Sequence, residues 1–211
     1  MYTEKEPAEV TIQNFLSKVK HYYHAKDVDK IYSAFEVAQK AHEGQFRASG
    51  RPYITHPTIV ADILIDMGLD VDTICAALLH DTVEDTYITD EDLRSKFGDE
   101  IADLVAGVTK LEKIQFHDKE EEQAENMRKM FFAMAKDIRV MLIKLADRLH
   151  NMRSLQFMSP EKQQRIAKET LDIFAPIAGR LGISQIKIEL EDLCLKYLDP
   201  DAYFSIARGI A

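Results

Sequence analysis

Apolar residues recur along most of the chain at intervals of three and four positions, whereas the strict alternation of a half-buried strand is nearly absent. Each such stripe predicts one amphipathic helix. Three of them are Val60, Ile63, Leu64 and Met67; Val71, Ile74, Cys75 and Leu78; and Ile101, Leu104, Val105 and Val108. Pro57 suits the first turn of the first helix, with Thr55 or His56 as its cap, and Gly68 suits its end. The second helix is expected to end near His80.

Polar capping residues predict further helices. The sequence Thr-Asp-Glu-Asp at 89–92 resembles a capping box, and Gly98 ends the short helix that follows it. Asp137, Ser159 and Ser184 mark helix starts and predict helices over about 138–152, 160–178 and 184–199. The segment 140–143 is apolar on all sides, so we place it at the centre of the fold. Together these patterns predict an all-α fold, a bundle of roughly nine or ten helices.

Length and charge narrow the class of protein. The chain has 211 residues, enough for one domain with a sizeable core or for one domain and the start of another. Its net charge of −9 argues against a broad surface for DNA or RNA, although one basic pocket is compatible with it. No apolar run approaches the roughly 18 residues of a membrane-spanning helix, and the acidic, polar N-terminus is unlike a secretory signal.

The two cysteines, Cys75 and Cys194, are far apart in the sequence, and both lie in apolar helical patterns. We interpret them as buried thiols rather than as a disulfide or a zinc-binding pair. Thiols of this kind favour a reducing compartment, and we expect a cytoplasmic protein.

Two histidines and two aspartates stand where apolar helices would not favour them. His80-Asp81 follows an apolar helix, His56 lies at the start of the helix before it, and Asp147 lies on the most apolar helix. Taken singly, His56 suits a cap or a core hydrogen bond, and Asp147 suits an ion pair with Arg148 or Lys144. Taken together, they offer two imidazoles and two carboxylates, which suit a divalent ion such as Mn²⁺ or Fe²⁺ with open positions for water. A structural zinc site, which favours thiolates, fits this set less well.

A second His-Asp pair, His117-Asp118, lies in the charged run 117–123, which has no apolar period. We interpret the pair as surface residues and the run as a solvated loop or a frayed helix end. A mobile segment beside a site is the alternative.

Longer motifs surround the four metal-ligand candidates. They are AHEGQFR at 41–47, SGRPYITHP at 49–57, LLHDTVED at 78–85, GVTKL at 107–111, IKLADRLHNMR at 143–153 and RLGIS at 180–184. The order His56, His80-Asp81 and Asp147 resembles the H…HD…D pattern of the HD superfamily of metal-dependent phosphohydrolases. Over roughly residues 28–205, the motifs resemble the hydrolase domain of bacterial RelA/SpoT homologues, bifunctional enzymes that make and destroy (p)ppGpp.

This resemblance implies a reaction, the Mn²⁺-dependent hydrolysis of the 3′-diphosphate of ppGpp or pppGpp to pyrophosphate and GDP or GTP. The roles that it implies are metal ligation by His56, His80, Asp81 and Asp147 and catalysis by Glu84 and Asp85. One of the two carboxylates would orient or deprotonate the water, and the other would hold the hydrated metal or relay a proton. The resemblance does not say which residue has which role. Without the resemblance, we would interpret Glu84 and Asp85 as residues of a capped, solvent-exposed turn.

The resemblance also implies substrate contacts. Arg47 matches the family arginine that stacks on the guanine ring, a role suited to a planar guanidinium. Ser49 and Tyr53 belong to the same loop, which would otherwise be a helix connection punctuated by glycine and proline. Asn151 lies one turn after the ligand aspartate of its helix and matches a residue that contacts the nucleotide. Lys144 is placed either to reach a phosphate or to pair with that aspartate.

The chain departs from the family pattern at position 48 and, more strongly, in its length. Ala48 stands where many relatives have lysine, so one positive substrate contact is missing. We expect an N-terminal helical segment at 1–27, the hydrolase domain at 28–180, and a helical bridge at 181–211 toward a synthetase domain that is absent here. We therefore expect a segment of a longer enzyme rather than a natural stand-alone hydrolase. Any ribosome contact would then belong to the absent C-terminal domains, while this segment binds a nucleotide and neither nucleic acid nor membrane.

Two other functions stay open at this point. One is an HD enzyme for another nucleotide, which keeps the metal ligands but does not need the Arg47 loop or the acidic pair. The other is a regulatory domain that senses the alarmone without cleaving it. The four filled ligand positions and the two acidic residues argue against that second alternative.

Overall fold

The computed structural model describes residues 8–112 and 136–210. Within these residues the chain is all-α, as the apolar stripes predict, and no strand forms beyond one isolated bridge between Phe46 and Pro52. The charged run 117–123, with His117-Asp118, lies outside the described residues. The α-helices are α1 (Ala8–Tyr22), α2 (Ala25–Ala41), α3 (Thr55–Asp66), α4 (Val71–Leu79), α5 (Thr82–Asp85), α6 (Asp90–Phe97), α7 (Asp99–Glu112), α8 (Ile138–Arg153), α9 (Pro160–Glu169), α10 (Ala175–Arg180), α11 (Ser184–Leu198) and α12 (Pro200–Ile210).

The helices group into two compact units, residues 1–146 and 147–211. In the first unit α4 is the central helix, because it packs on α2, α3 and α7, and its residues 73–79 are all buried. Asp70 caps its N-terminus by accepting hydrogen bonds from the amides of Asp72 and Thr73. Its other end delivers the chain directly to the His80-Asp81 dipeptide. An apolar helix thereby holds polar residues at a fixed depth in the core.

Most helix ends lie where the capping residues predict them. Thr89 forms the capping box with Asp92, and Gly98, at φ +90°, ends α6. Gly68 adopts φ +74° just after α3, a backbone conformation that glycine takes without strain. The predicted cap of α3, however, is wrong. Neither Thr55 nor His56 caps that helix, because both lie inside its first turn.

The reason is a tight turn ahead of α3. The amides of Thr55 and His56 donate to the carbonyls of Pro52 and Tyr53 at 3.1 and 2.8 Å, so the chain is already coiled before the helix begins. Ile54 takes the N-cap position without a side-chain hydrogen bond. Backbone carbonyls therefore accept the hydrogen bonds of the first amides of α3, and the imidazole of His56 is not needed as a cap.

Helix α8 begins after Asp137, whose carboxylate accepts from the amide of Arg139, as predicted. Residues 140, 141 and 143 are buried, and Leu142 is half-buried. Gly107 of α7 lies against Val140 at very short range. A Cβ added at Gly107 would stand 2.7 Å from Val140 Cγ2 and 3.3 Å from its Cγ1. Only a glycine fits at this crossing without moving the neighbouring valine.

We expect Gly107→Ala to lower the free energy of unfolding. Overpacking costs about 1–3 kcal/mol, which exceeds the gain of about 0.5–1 kcal/mol from replacing a helical glycine. Urea unfolding followed by circular dichroism measures the change. Gly209→Ala is the matched control, since a Cβ at Gly209 meets no atom of the described residues within 4 Å and should not destabilise the protein. An unfolding midpoint for Gly107→Ala at or above the wild-type value would contradict the expectation.

The second unit contains the end of α8 and helices α9 to α12. Arg153 bonds Glu189 of α11 at 2.6 and 2.8 Å, and Arg148 bonds Glu169 while lying over the ring of Phe174 at 4.1 Å. The helix predicted from Ser159 to about Ala178 forms, but a π-helical turn at Thr170–Phe174 separates α9 from α10. The capping pattern does not predict that turn.

Cys75 and Cys194 are both buried and free, so they form no disulfide, as predicted. Burial raises the pKa of both thiols to about 12. In the described part of the chain, no helix is both long and apolar enough to cross a membrane.

Candidate metal centre

The candidate ligands are residues at one end of α3 and of α4 and one residue within α8. His56 lies in the first turn of α3, and His80 and Asp81 connect α4 to the short helix α5. Asp147 directly follows Ala146 on the uninterrupted helix α8. The four residues are buried, with exposed fractions of 2% for His56, 0% for His80, 7% for Asp81 and 3% for Asp147. Burial of this kind disfavours charge unless opposite charge or a metal ion compensates it.

The backbone fixes the orientation of the His80 ring. His80 Nδ1 lies 2.8 Å from the carbonyl oxygen of Ala77, which can only accept a hydrogen bond. Nδ1 therefore carries the hydrogen, and a neutral ring presents the lone pair of Nε2. That nitrogen lies 3.0 Å from Asp81 Oδ1. A metal-binding histidine is commonly oriented in this way, with its other ring nitrogen donating to a carbonyl.

His56 approaches the same carboxylate from the other side. Its Nε2 lies 3.6 Å from Asp81 Oδ2, and the ring centroids of His56 and His80 are 5.4 Å apart. Two imidazole nitrogens thus face the two oxygens of one buried aspartate. This arrangement requires positive charge, either protons on the rings or a cation among the nitrogen and oxygen atoms. The donor set fits a divalent ion that accepts both nitrogen and oxygen ligands.

Asp147 belongs to the same group of donors. One ligand atom from each of His56, His80 and Asp147 lies within 4.8 Å of the others, so these residues form a His/His/Asp cluster that could hold a metal ion. Asn151 donates from Nδ2 to Asp147 Oδ1 at 2.6 Å, which orients that carboxylate. The neighbouring Arg148, one alternative partner for Asp147 in the sequence, places its guanidinium on Glu169 and Phe174.

The acidic pair lies at the exposed edge of this group. Glu84 and Asp85 end the four-residue helix α5, and both are exposed. Tyr53 connects Asp85 to the ligand group, because its hydroxyl donates to Asp81 Oδ2 at 2.8 Å and to Asp85 Oδ2 at 3.3 Å. Partial burial and the negative charge of Asp81 raise the pKa of Asp85. Asp85 is therefore a better proton acceptor than an isolated aspartate.

Tyr53 is expected from the sequence to be a substrate contact, and the structure adds a second role. Burial, followed by the negative charge of Asp81, raises the pKa of its phenol. Tyr53 thus stays protonated and serves as a hydrogen-bond donor to both aspartates. The motif at 49–57 includes Tyr53, but its contacts with Asp81 and Asp85 cannot be read from sequence spacing.

The structure also places the other proposed substrate residues. Arg47 is half-buried, and its guanidinium lies 6.0 Å from the centroid of the Tyr53 ring. Its loop is closed by hydrogen bonds from the Arg47 amide to the Arg51 carbonyl and from the Gly50 amide to the Arg47 carbonyl, both 2.9 Å. Ser49 lies half-buried in this loop, and Lys144 is buried on α8. The guanidinium of the predicted stacking arginine therefore lies over the Tyr53 ring.

Sequence reasoning assigned no role to His42, although the motif at 41–47 contains it. His42 is 3% exposed, and its ring stacks on Tyr53 with centroids 4.5 Å apart and an interplanar angle of 24°. Its Nδ1 lies 2.8 Å from Gln45 Oε1. Only the folded loop shows that this histidine adjoins the candidate metal centre.

Comparison with known proteins gives consistent matches. The family model of the HD domain matches residues 34–184. The chain is 54% identical over 185 residues to the Escherichia coli (strain K12) protein named bifunctional (p)ppGpp synthase/hydrolase SpoT, covering 88% of this chain and 26% of that protein. It is 59% identical over 176 residues to a Synechocystis protein named probable guanosine-3′,5′-bis(diphosphate) 3′-pyrophosphohydrolase, covering 83% of this chain and 23% of that protein.

The chain thus spans about a quarter of the length of these curated relatives. A solved structure described as a metazoan ortholog of SpoT that hydrolyses ppGpp is also similar. Its TM-score is 0.54 at 27% identity, and the match covers 90% of this chain and 99% of that one. The described helices therefore follow a fold that is known from experiment.

Proposed function

The chain belongs to the HD domain family, as the HD domain of a RelA/SpoT-type protein, and we propose that it hydrolyses the 3′-diphosphate of (p)ppGpp. The products are pyrophosphate and GDP or GTP. The observation that carries this proposal is the buried group of His56, His80 and Asp81 with Asp85 at its exposed edge. Relatives named for this hydrolysis are 54–59% identical to the chain.

We propose Mn²⁺ as the resident ion, held by His56, His80, Asp81 and Asp147. Two imidazoles and two carboxylates form a mixed nitrogen and oxygen donor set, which a borderline-hard divalent ion accepts. When bound, such an ion lowers the pKa of a coordinated water and polarises the phosphoryl group. Cys75 and Cys194 are buried free thiols, and neither belongs to the His/His/Asp cluster of the described residues.

In this proposal, Glu84 and Asp85 accept and transfer the proton of the attacking water. In the hydrolysis, the water oxygen bonds to phosphorus, the bond from phosphorus to the 3′ oxygen breaks, and that oxygen takes up a proton. Asp85 is the better placed acceptor for the water proton, because the Tyr53 hydroxyl connects it to Asp81 and its pKa is raised. Glu84, one residue earlier on α5, is then left to hold the hydrated ion or to relay the proton.

The loop of Arg47, with Ser49 and Tyr53, binds the nucleotide in this proposal. A planar guanidinium stacks on a purine face, and Arg47 already lies over one aromatic ring. Lys144 and Asn151 are the proposed contacts from α8. Position 48 is alanine, and Arg51 donates to Thr11 Oγ1 at 2.8 Å, so Arg47 is the cationic group of the loop that we assign to the nucleotide.

We propose the cytoplasm as the location of the protein, since Cys75 and Cys194 are reduced and buried. The small-molecule partner is the nucleotide itself. Contacts with the ribosome belong, in this proposal, to parts of the longer relatives that the chain does not match.

Product analysis with ppGpp and Mn²⁺ tests the function. We expect equal amounts of GDP and pyrophosphate. Cleavage on the 5′ side would contradict the proposed orientation of the nucleotide. Tight ppGpp binding without any turnover in the metal-loaded protein would favour an alarmone-sensing domain instead.

Arg47→Ala tests the nucleotide site. We expect KM to rise about tenfold or more with Mn²⁺ affinity unchanged, because a desolvated cation–π contact is worth about 2 kcal/mol. Steady-state kinetics and Mn²⁺ titration measure the two effects. Lys26→Ala, which removes an exposed cation near the start of α2, is the control and should leave both values unchanged. An unchanged KM in Arg47→Ala would count against stacking.

A further inference from the structure

We infer that His42 is a positioning residue for Asp85, acting through two connected groups, Tyr53 and Gln45. This inference deepens the proposed function and rests on it for its catalytic meaning. The two connections start from one buried imidazole and reach the same aspartate, one at its carboxylate and one at its backbone.

The first connection runs through an aromatic stack. The His42 ring lies against Tyr53 at 4.5 Å between centroids, with the planes only 24° apart. The tyrosine hydroxyl then donates to Asp81 Oδ2 at 2.8 Å and to Asp85 Oδ2 at 3.3 Å. A buried ring behind Tyr53 restricts where its hydroxyl can move. The stacked ring thereby limits how far the carboxylates of Asp81 and Asp85 can move apart.

The second connection runs through an amide. Gln45 Nε2 donates to the backbone carbonyl of Asp85 at 3.1 Å, which sets the orientation of the amide and makes Oε1 its accepting atom. His42 Nδ1 lies 2.8 Å from that oxygen and must carry the hydrogen between them. The imidazole therefore orients Gln45, and Gln45 holds the backbone at the end of α5.

Asp85 needs such support because its own helix provides little. Helix α5 has four residues, too few for a helix to be stable by itself, and Asp85 is exposed. Its amide donates to the carbonyl of Asp81 at 2.9 Å, which links it to the ligand residue along the backbone. Tyr53 and Gln45 add contacts from a different segment of the chain, more than 30 residues away in sequence.

A purely structural role for His42 would be served as well by an apolar ring. His42 is 3% exposed, and its buried Nε2 has no hydrogen-bond partner among the residues that the structure describes. A phenylalanine at this position would keep the stack on Tyr53 and remove that unsatisfied atom. It would lose the hydrogen bond to Gln45, and the consequence of that loss distinguishes positioning from packing.

The test compares His42→Phe with Gln45→Met. We expect kcat to fall about tenfold in His42→Phe and Gln45→Met while Mn²⁺ affinity changes less than about threefold, since small displacements of a catalytic group reduce the rate steeply. His42→Phe combined with Gln45→Met should be no slower than either variant alone, because both break one connection. In an Asp85→Asn background the effect of His42→Phe should disappear.

A second measurement does not depend on turnover. Amide hydrogen exchange in the metal-free protein should become at least about tenfold faster at Asp85 in His42→Phe and Gln45→Met. His24→Phe is the matched control, because His24 is exposed at the opposite end of α2 and makes no side-chain cap. Failure of the wild-type protein to cleave ppGpp would overturn the proposed function and leave this exchange test in force.

Two results would overturn the inference. One is unchanged exchange at Asp85 in His42→Phe with a wild-type unfolding temperature. The other is a fall in kcat that persists at the same size in the Asp85→Asn background. A variant that unfolds is replaced by His42→Leu, for which the same exchange and kinetic outcomes apply.

Discussion

Asp81→Ala should lose Mn²⁺ binding and hydrolysis together. Asp81 is the carboxylate that both imidazoles face, at 3.0 Å from His80 and 3.6 Å from His56. Metal-assisted hydrolysis depends on several kcal/mol of stabilisation from the ion, and each 1.4 kcal/mol corresponds to a factor of ten. We therefore expect kcat/KM to fall by about 10³-fold or more, with Mn²⁺ no longer retained after desalting. Metal analysis and pyrophosphate release measure the two losses.

Asp103→Ala is the matched control for this variant. Asp103 is an exposed aspartate of α7 that pairs with Arg94, so its removal deletes the same charge at a distance from the candidate metal centre. It should retain metal and turnover. Full hydrolysis by Asp81→Ala at low Mn²⁺ concentration would remove Asp81 from the ligand set.

The sequence allowed the helices and the four ligand candidates to be predicted because both depend on local patterns. The stripe ending at Leu78 places His80 at the end of a buried helix, and the order of histidines and aspartates matches the pattern of a known superfamily. The error at His56 has a local cause as well. A side-chain cap is the usual solution at a helix start, but the turn from Pro52 satisfies the backbone of α3 by itself.

The contacts among side chains could not be predicted in the same way. Whether Tyr53 faces a nucleotide or the carboxylates of Asp81 and Asp85 depends on how the loop 42–53 folds over α4 and α5. His42 is a further example, because its sequence position at the end of α2 reveals neither its burial nor its stack. Such contacts join residues far apart in sequence, whereas apolar periodicity reports only one helix at a time.

Asp85→Asn should keep the metal and lose most of the catalysis. The carboxylate that accepts or delivers a proton typically contributes 10²–10⁴-fold, so we expect kcat to fall by about 10²-fold or more at unchanged Mn²⁺ affinity. Asparagine keeps an oxygen that can accept from the Tyr53 hydroxyl, which limits structural change. Glu84→Gln is the matched neighbour on α5. If it causes the larger fall, the roles proposed for the two acidic residues are reversed.

Although Asp85→Asn should reduce catalysis, we expect it to stabilise the metal-free protein at neutral pH. Partial burial and the charge of Asp81 raise the folded-state pKa of Asp85, so folding favours its protonated form. The ionised side chain then destabilises the metal-free fold above its ordinary pKa of about 3.9, and protonation removes this effect as the pH falls. Asp85→Asn should therefore unfold at a higher temperature than the wild type at pH 7, and the difference should vanish below about pH 4. A lower unfolding temperature for the metal-free variant at pH 7 would show that the carboxylate of Asp85 stabilises the fold.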